Sequence, residues 1–142
     1  MNEKTRQIVI QKAGALLDSG YHCSEAILIA VGGYYLEEIP PQAVCMASPF
    51  AGGVGSTHLE LCGALTGGLM VIGGLAGRAE AGTNDDRCQE LAAAFRAEFL
   101  QTFGWLKCQD LKDNWIGTAG KESCRALVEK AADVLVGVIE TA

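Results

Sequence analysis

The amino-acid sequence predicts an all-α fold, a single domain over residues 1–142 in which five or more helices pack around a buried, glycine-rich central helix. Apolar residues recur at helical spacing in several segments, and no stretch alternates apolar and polar residues for long enough to form a strand. The 142 residues, 49% hydrophobic and 20% charged, have a globular composition and suffice to bury a core. No repeat, low-complexity tract or linker divides the chain, so one domain is expected.

The N-terminal third is predicted to hold two helices followed by a short one. The first runs over residues 3–17, whose apolar residues share one helical face, and a polar, glycine-containing tripeptide ends it. The second begins near Cys23 and keeps the helical spacing to Tyr35. Because proline fits the first turn of a helix, residues 41–47 are predicted to form a short third helix.

The central helix is predicted from an apolar run that follows a capping pattern. Residues 50–55 are glycine-rich and indicate a turn. Thr57 and Glu60 have the spacing of a capping box, which predicts a helix start at Thr57. Residues 61–77 carry no charge, but the run holds six glycines and is shorter than the ~20 residues of a membrane-spanning helix. We therefore expect a buried helix of a bundle and no membrane span.

The C-terminal half is predicted to hold two long helices with an irregular segment between them. An apolar stripe over residues 88–103 predicts the first of these, and a glycine ends it. Residues 105–119 are expected to be irregular apart from one helical turn at 108–111, with Gly120 near their end. The last helix has the clearest pattern, since apolar residues follow one face from 124 to 139.

Charge and cysteine content limit the classes of partner and the compartment. The net charge of −6, with 11 basic residues spread over the chain, argues against nucleic acid and against an anionic membrane surface. The first 17 residues lack the apolar core of a signal peptide, so a cytoplasmic location is expected. In a reducing compartment, six cysteines indicate metal binding, redox chemistry or packing of small residues.

Four of the six cysteines lie near predicted helix starts. Cys23, Cys108 and Cys124 fall in the first turn of a predicted helix. Cys62 falls in the second turn after Thr57 and shares a helix face with His58, four residues before it. A helix N-terminus favours the reactive thiolate form, so these four are the candidate reactive cysteines.

Neighbouring residues add to this pattern without defining a role. His22 precedes Cys23, whereas Lys121 and Arg125 flank Cys124 and would favour its thiolate. The two histidines, His22 and His58, are more readily explained as surface or capping residues than as ligands, and their roles stay open.

The remaining cysteines and the glycine-rich turn have simpler explanations. Cys45 and Cys88 are expected to pack as small apolar residues, Cys88 in phase with a core stripe. Residues 52–55 could bind an anion through their amides, but a plain turn is favoured. There is no Cys-x-x-Cys, so any joint site must combine cysteines from different helices, and no Cys-x-x-Cys-His for covalent haem attachment.

The sequence CGALTG at residues 62–67 carries a resemblance to a known family. Together with Cys23 before an apolar helix, Cys108 after a glycine and Cys124 at the start of the last helix, it resembles the family of putative redox-active proteins named for its C_GCAxxG_C_C pattern. The resemblance covers nearly the whole chain. It implies that Cys23, Cys62, Cys108 and Cys124 are the characteristic cysteines and that the protein is redox-active. The family is similar to split-Soret cytochromes, whose covalent haem motif this chain lacks.

The motif also has a physical interpretation. Gly63 and Gly67 are four residues apart on one helix face, so the backbone of another helix can approach there. A helix that carries Cys23, Cys108 or Cys124 would then bring its sulfur close to Cys62. Disulfide formation requires such proximity, with Cα atoms roughly 4.4–6.8 Å apart.

Three functions follow from the sequence. The first is a thiol-based redox protein in which Cys62 is the central partner and Cys23 or Cys124 the attacking thiol, with the pairing open. Its partner would be a redox protein or a small thiol or disulfide. The second is a metal or iron–sulfur binding module that uses the same four cysteines, with the metal unspecified. The third is a structural or interaction protein, and the glycine-lined apolar helix is compatible with a homo-oligomer.

Overall fold

Helices make up the secondary structure, as the sequence predicts. The computed structural model describes residues 1–117 and 123–142. Within these residues the one β feature is an isolated antiparallel bridge between Leu61 and Lys107. The all-α prediction is therefore confirmed.

The first helices begin where the sequence predicts. Helix α1 spans Glu3–Asp18, and the Asn2 side chain caps it by accepting the Thr5 N–H at 2.8 Å. Helix α2 spans Cys23–Ile27 and starts with a capping box, in which the Glu25 carboxylate accepts the His22 N–H at 2.8 Å.

The predicted second helix is not regular along its length. After α2, Leu28–Gly32 form a π-helical turn, and α3 continues over Gly33–Tyr35. Apolar spacing did not indicate this change of pitch, because the π-turn buries most of its residues as an α-helix would. The short helix α4 spans Pro41–Ala47, as predicted.

The glycine-rich segment after α4 forms an unusual turn. A 3₁₀ helix spans Ser48–Phe50, and then the five residues 52–56 all have positive φ, between 54° and 72°. We call residues 52–56 the left-handed turn. Two of them, Val54 and Ser56, are not glycine, and a β-branched residue such as valine is strained in this conformation.

The predicted helix start at Thr57 is wrong. Helix α5 begins at Gly63 and spans Gly63–Ala76. The Thr57 hydroxyl donates to the carbonyl oxygens of Gly53 and Val54 in the left-handed turn, so it caps no helix. His58 also has a positive φ, and the backbone of the following residues pairs with another segment of the chain.

Helix α5 packs against α2 with close backbone contact. A Cβ built at Gly67 would lie 2.5 Å from the carbonyl oxygen of Ser24, so only glycine fits without displacing α2. Most of α5 is buried, including Leu65, Val71 and Ile72. Among the described residues, no helix is long and apolar enough to cross a membrane.

The C-terminal helices complete the core. Helix α6 spans Asp86–Phe103 and ends at Gly104, whose φ is 85°. Helix α7 spans Cys108–Asn114 and is longer than the single turn predicted. The predicted end of this segment near Gly120 lies outside the described residues. Helix α8 spans Cys124–Thr141, with a continuous buried face.

An aromatic column from α6 positions α7. Phe95, Phe99 and Phe103 lie in sequence along the buried face of α6. The ring of Trp115, directly after α7, packs edge-on against Phe103 at a centroid distance of 5.0 Å. These contacts hold α7 against α6, while the opposite end of α7 faces the start of α5.

Candidate functional site

Four cysteines occupy the starts of four helices. Cys23, Cys108 and Cys124 are the first residues of α2, α7 and α8, and Cys62 immediately precedes α5. The structure therefore moves Cys62 from the predicted second turn to the N-cap position. Helix N-termini carry a partial positive charge, which favours a nearby thiolate over the thiol.

These four cysteines line one cavity of about 260 Å³, which we call the cysteine cavity. Cys62 and Cys108 are buried, Cys23 is half-buried and Cys124 is exposed. The other lining residues among those described are Leu17, Tyr21, His22, Gly52, Ser56, His58, Gly63, Leu111, Lys112, Ile116, Leu127 and Val128.

The other two cysteines lie elsewhere. Cys88 is half-buried on α6 and packs against the core, as its sequence phase predicts. Cys45 is exposed on α4, so the expectation that it packs as an apolar residue is wrong. Helix α4 has only seven residues, so the spacing of its apolar residues does not show which face is buried. All six cysteines are described, and none forms a disulfide.

Backbone pairing joins the two segments that carry Cys62 and Cys108. The Cys62 N–H donates to the Leu106 carbonyl at 2.8 Å, and the Cys108 N–H donates to the Glu60 carbonyl at 2.9 Å. The Gln109 N–H donates to the His58 carbonyl at 3.1 Å. The starts of α5 and α7 are thus joined directly, which fixes both sulfurs in the cavity wall.

The Cys23 sulfur lies against the first residue of α5. A Cβ built at Gly63 would overlap the Cys23 Sγ atom, so the glycine leaves the space that this sulfur occupies. The position next to Cys62 is therefore filled by a thiol instead of a side chain of α5. The CGALTG motif thus supplies one cysteine and the room for a second.

Cys23 and Cys108 each interact electrostatically with the other three cysteines of the cavity. A negative charge on Cys23 raises the pKa of Cys62, of Cys108 and of Cys124. Such an effect requires that all three thiols lie within electrostatic reach of Cys23.

Burial raises the pKa of Cys62 most strongly, well above the ordinary thiol range, and nearby Cys23 and Cys108 add to the increase. The backbone N–H groups of Ala64 and Leu65 act in the opposite direction and lower this pKa. Neither N–H makes a full capping hydrogen bond to the sulfur, so burial dominates. At neutral pH Cys62 is consequently a thiol.

Lys112 is a cation that acts on two of the cysteines. Burial raises the pKa of Cys108 and of Cys124, whereas the Lys112 ammonium lowers both. Cys124 is exposed as a residue, but its thiol faces the cavity and is partly desolvated. The Lys112 Nζ atom lies 3.4 Å from the Nε2 atom of His58, another lining residue.

The sequence missed Lys112, although a signal was present. Lys112 is four residues after Cys108, and a helix that starts at Cys108 places both on one face. Of the neighbours named from sequence, Arg125 does not line the cavity and instead pairs with Asp18 and Glu129. Lys121 lies outside the described residues.

Within residues 1–117 and 123–142, no group of three or more His, Cys, Asp or Glu side chains is arranged to hold a metal ion. The histidines have defined positions instead. His22 occupies the N-cap of α2, and the backbone of His58 is held on both sides, by the Gly52 carbonyl and the Gln109 N–H.

Comparison with known proteins gives one match. A family model described as "Putative redox-active protein (C_GCAxxG_C_C)" matches residues 21–138. Neither a comparison with curated proteins nor one with solved structures finds a significant match. The letters of the family name place glycine before the motif cysteine, whereas in this chain Cys62 precedes Gly63. Since the match extends over most of the sequence and includes all four cysteines of the cavity, the chain belongs to the C_GCAxxG_C_C family of redox-active proteins.

Proposed function

We propose that the protein is a thiol–disulfide redox protein and that the cysteine cavity is its reactive centre. The observation that carries this proposal is that Cys23 lies among Cys62, Cys108 and Cys124 in the wall of one cavity. Family membership supports a redox role in general. The thiol mechanism is our inference from the arrangement of the sulfurs.

Cys23 is the proposed attacking thiol. The pKa values of Cys62, Cys108 and Cys124 are all raised, which reduces the thiolate fraction of each at neutral pH. Cys23 is half-buried, so a substrate that enters the cavity reaches its sulfur directly.

Cys62 is the proposed resolving thiol. Its pKa is raised in part by negative charge on Cys23, and this contribution disappears once Cys23 is bound in a neutral mixed disulfide. The N–H groups of Ala64 and Leu65 remain to stabilise the Cys62 thiolate. Formation of the mixed disulfide therefore lowers the pKa of the second thiol at the moment when it must react.

The proposed reaction reduces one substrate disulfide. The Cys23 thiolate attacks one sulfur of the substrate, whose S–S bond breaks and releases a first thiolate. The Cys62 thiolate then attacks the Cys23 sulfur, breaks the mixed disulfide and releases the second thiolate. Two electrons pass from the protein dithiol to the substrate, and the two thiol protons end on the released thiols. Exchange with a small thiol, two equivalents of which are oxidised to a disulfide, would return the protein to its dithiol form.

Disulfide mapping tests the proposal. The reduced protein is treated with hydroxyethyl disulfide, blocked with iodoacetamide and analysed by peptide mass. We expect a disulfide between Cys23 and Cys62. Cys23→Ser should abolish exchange, and Cys62→Ser should accumulate the mixed disulfide on Cys23.

Cys88→Ser is the matched control, since Cys88 lies outside the cavity and should leave exchange unchanged. Exchange at the wild-type rate in Cys23→Ser would overturn the proposal. A disulfide that forms only between Cys45 and Cys88 would overturn it as well.

A further inference from the structure

The cysteine cavity has a cationic side chain in its described lining. Lys112, His22 and His58 line it, and no Asp or Glu is among the described lining residues. The chain as a whole has 17 acidic and 11 basic residues. The described lining thus offers one cation, Lys112, and no carboxylate, and this cation acts on Cys108 and Cys124.

The basic groups have fixed positions at the cavity. The Lys112 Nζ lies 3.4 Å from the His58 Nε2, and the His58 backbone is hydrogen-bonded to Gly52 and Gln109. Lys112 lies one helical turn after Cys108, so the cation and the sulfur share a face of α7. The acidic residues of α7, Asp110 and Asp113, do not line the cavity.

Most of the remaining wall is apolar, apart from Tyr21 and Ser56, and the wall encloses little space. Side chains from α1, α7 and α8 and from the segment after α7 form this wall: Leu17, Leu111, Ile116, Leu127 and Val128. A volume of about 260 Å³ lies below the ~300–1,000 Å³ of pockets that hold drug-sized ligands. Such a space accommodates a short alkyl chain with one polar end.

We infer that the substrate of the proposed thiol centre is a small disulfide whose short alkyl arms end in carboxylates, bound through the Lys112 ammonium. This inference rests on the proposed function. The carboxylate would lie against Lys112 and His58 while the alkyl arm contacts Leu111 and the disulfide faces Cys23. Lys112 would also offset the repulsion between the carboxylate and the Cys23 thiolate.

Three disulfides with arms of similar length test the charge preference: dithiodipropionate, neutral hydroxyethyl disulfide and cationic cystamine. Each exchange rate is divided by the rate of the same disulfide with free mercaptoethanol, which removes differences in leaving-group pKa. We expect the normalised rate for dithiodipropionate to exceed that for cystamine by about tenfold or more. Two unit charges a few ångströms apart near a protein surface interact strongly enough to produce a difference of roughly this size. Lys112→Gln should remove most of this preference.

Lys4→Gln is the matched control, because it deletes the same charge from the exposed face of α1. It should leave the preference intact. Equal normalised rates for the three disulfides in wild type would overturn the inference and leave the proposed function standing. Faster reduction of the disulfides of insulin than of any small probe would also overturn it.

A second readout does not depend on exchange. Methylthiopropionate, an unreactive thioether with a carboxylate, should slow alkylation of Cys23 by iodoacetamide, and methylthioethylamine should not. If this protection occurs but no disulfide reacts, the proposed function fails while the anion preference of the cavity is supported. If neither protection nor charge preference is found, the inference is wrong.

Discussion

Substitution of Gly67 by alanine measures how closely α2 and α5 approach each other. The added Cβ would lie 2.5, 2.8 and 3.0 Å from the carbonyl oxygen, Cα and carbonyl carbon of Ser24. These are backbone atoms that cannot rotate away, so α2 must move by roughly 1 Å to restore ordinary van der Waals contact. Overpacking of this kind costs about 1–3 kcal/mol, and we expect the upper half of that range.

Helix propensity acts against this cost. Replacement of glycine by alanine inside a helix stabilises it by about 1 kcal/mol, which leaves a net destabilisation of about 1–2 kcal/mol. For a chain of this length, the melting temperature should fall by roughly 3–8 °C. Urea denaturation and thermal melts followed by circular dichroism give both quantities, and Gly67→Leu should be more destabilising still.

Gly73 provides the matched control in the same helix. Nothing lies within 4 Å of a Cβ built at Gly73, so Gly73→Ala gains propensity without overpacking. It should stabilise the protein by up to about 1 kcal/mol. If Gly67→Ala were as stable as Gly73→Ala, the close approach between α2 and α5 would be refuted.

Three further predictions concern the cavity and its support. Gly63→Ala should displace the Cys23 sulfur and crowd the Phe50 carbonyl oxygen, so the rate of Cys23 alkylation should change at least severalfold; an unchanged rate would contradict the contact. Lys112→Gln should raise the pKa of Cys124 and shift its alkylation profile, read by peptide mass, to higher pH; a shift to lower pH would refute the assigned charge effect. Burial opposes ionisation of Glu25, but hydrogen bonds from Ser48 and from the His22 N–H lower its pKa overall. The stability that these hydrogen bonds provide is fully present above the pKa that Glu25 has in the unfolded chain. It is lost as the pH falls through the lower pKa that Glu25 has in the folded protein. The melting temperature should therefore fall as the pH is lowered from neutral to acidic, and it should fall less in Glu25→Gln. An equal fall in both proteins would contradict this.

The sequence predicted those elements whose structure depends on local pattern. Helix α4 was predicted at its observed limits from proline at its start, and α8 from a long apolar stripe. The segment 58–62, which follows the predicted turn, could not be predicted in the same way. Its backbone bonds to residues 106–109, and these distant partners outweigh the local capping pattern at Thr57.

The site was partly accessible from sequence. The family pattern identified the four cysteines, and helix starts were the correct context for each of them. The sequence did not show that Cys23 lies among the other three, because this depends on how α2 packs against Gly63 and Gly67. Lys112 is far from Cys23 along the chain and reaches the cavity because the start of α7 pairs with residues 58–62.

Because the cavity cysteines lie at the starts of different helices, a disulfide between Cys23 and Cys62 would couple the reduction potential of the protein to its folding. In the unfolded chain, Cys23 and Cys62 are the ends of a long flexible loop, so the effective concentration of one thiol near the other is low. In the folded chain, the start of α5 holds them next to each other. By thermodynamic linkage, a disulfide between them would stabilise the fold by as much as the fold favours the disulfide. A substitution that loosens α2 from α5 would therefore make the dithiol harder to oxidise, even though it removes no sulfur.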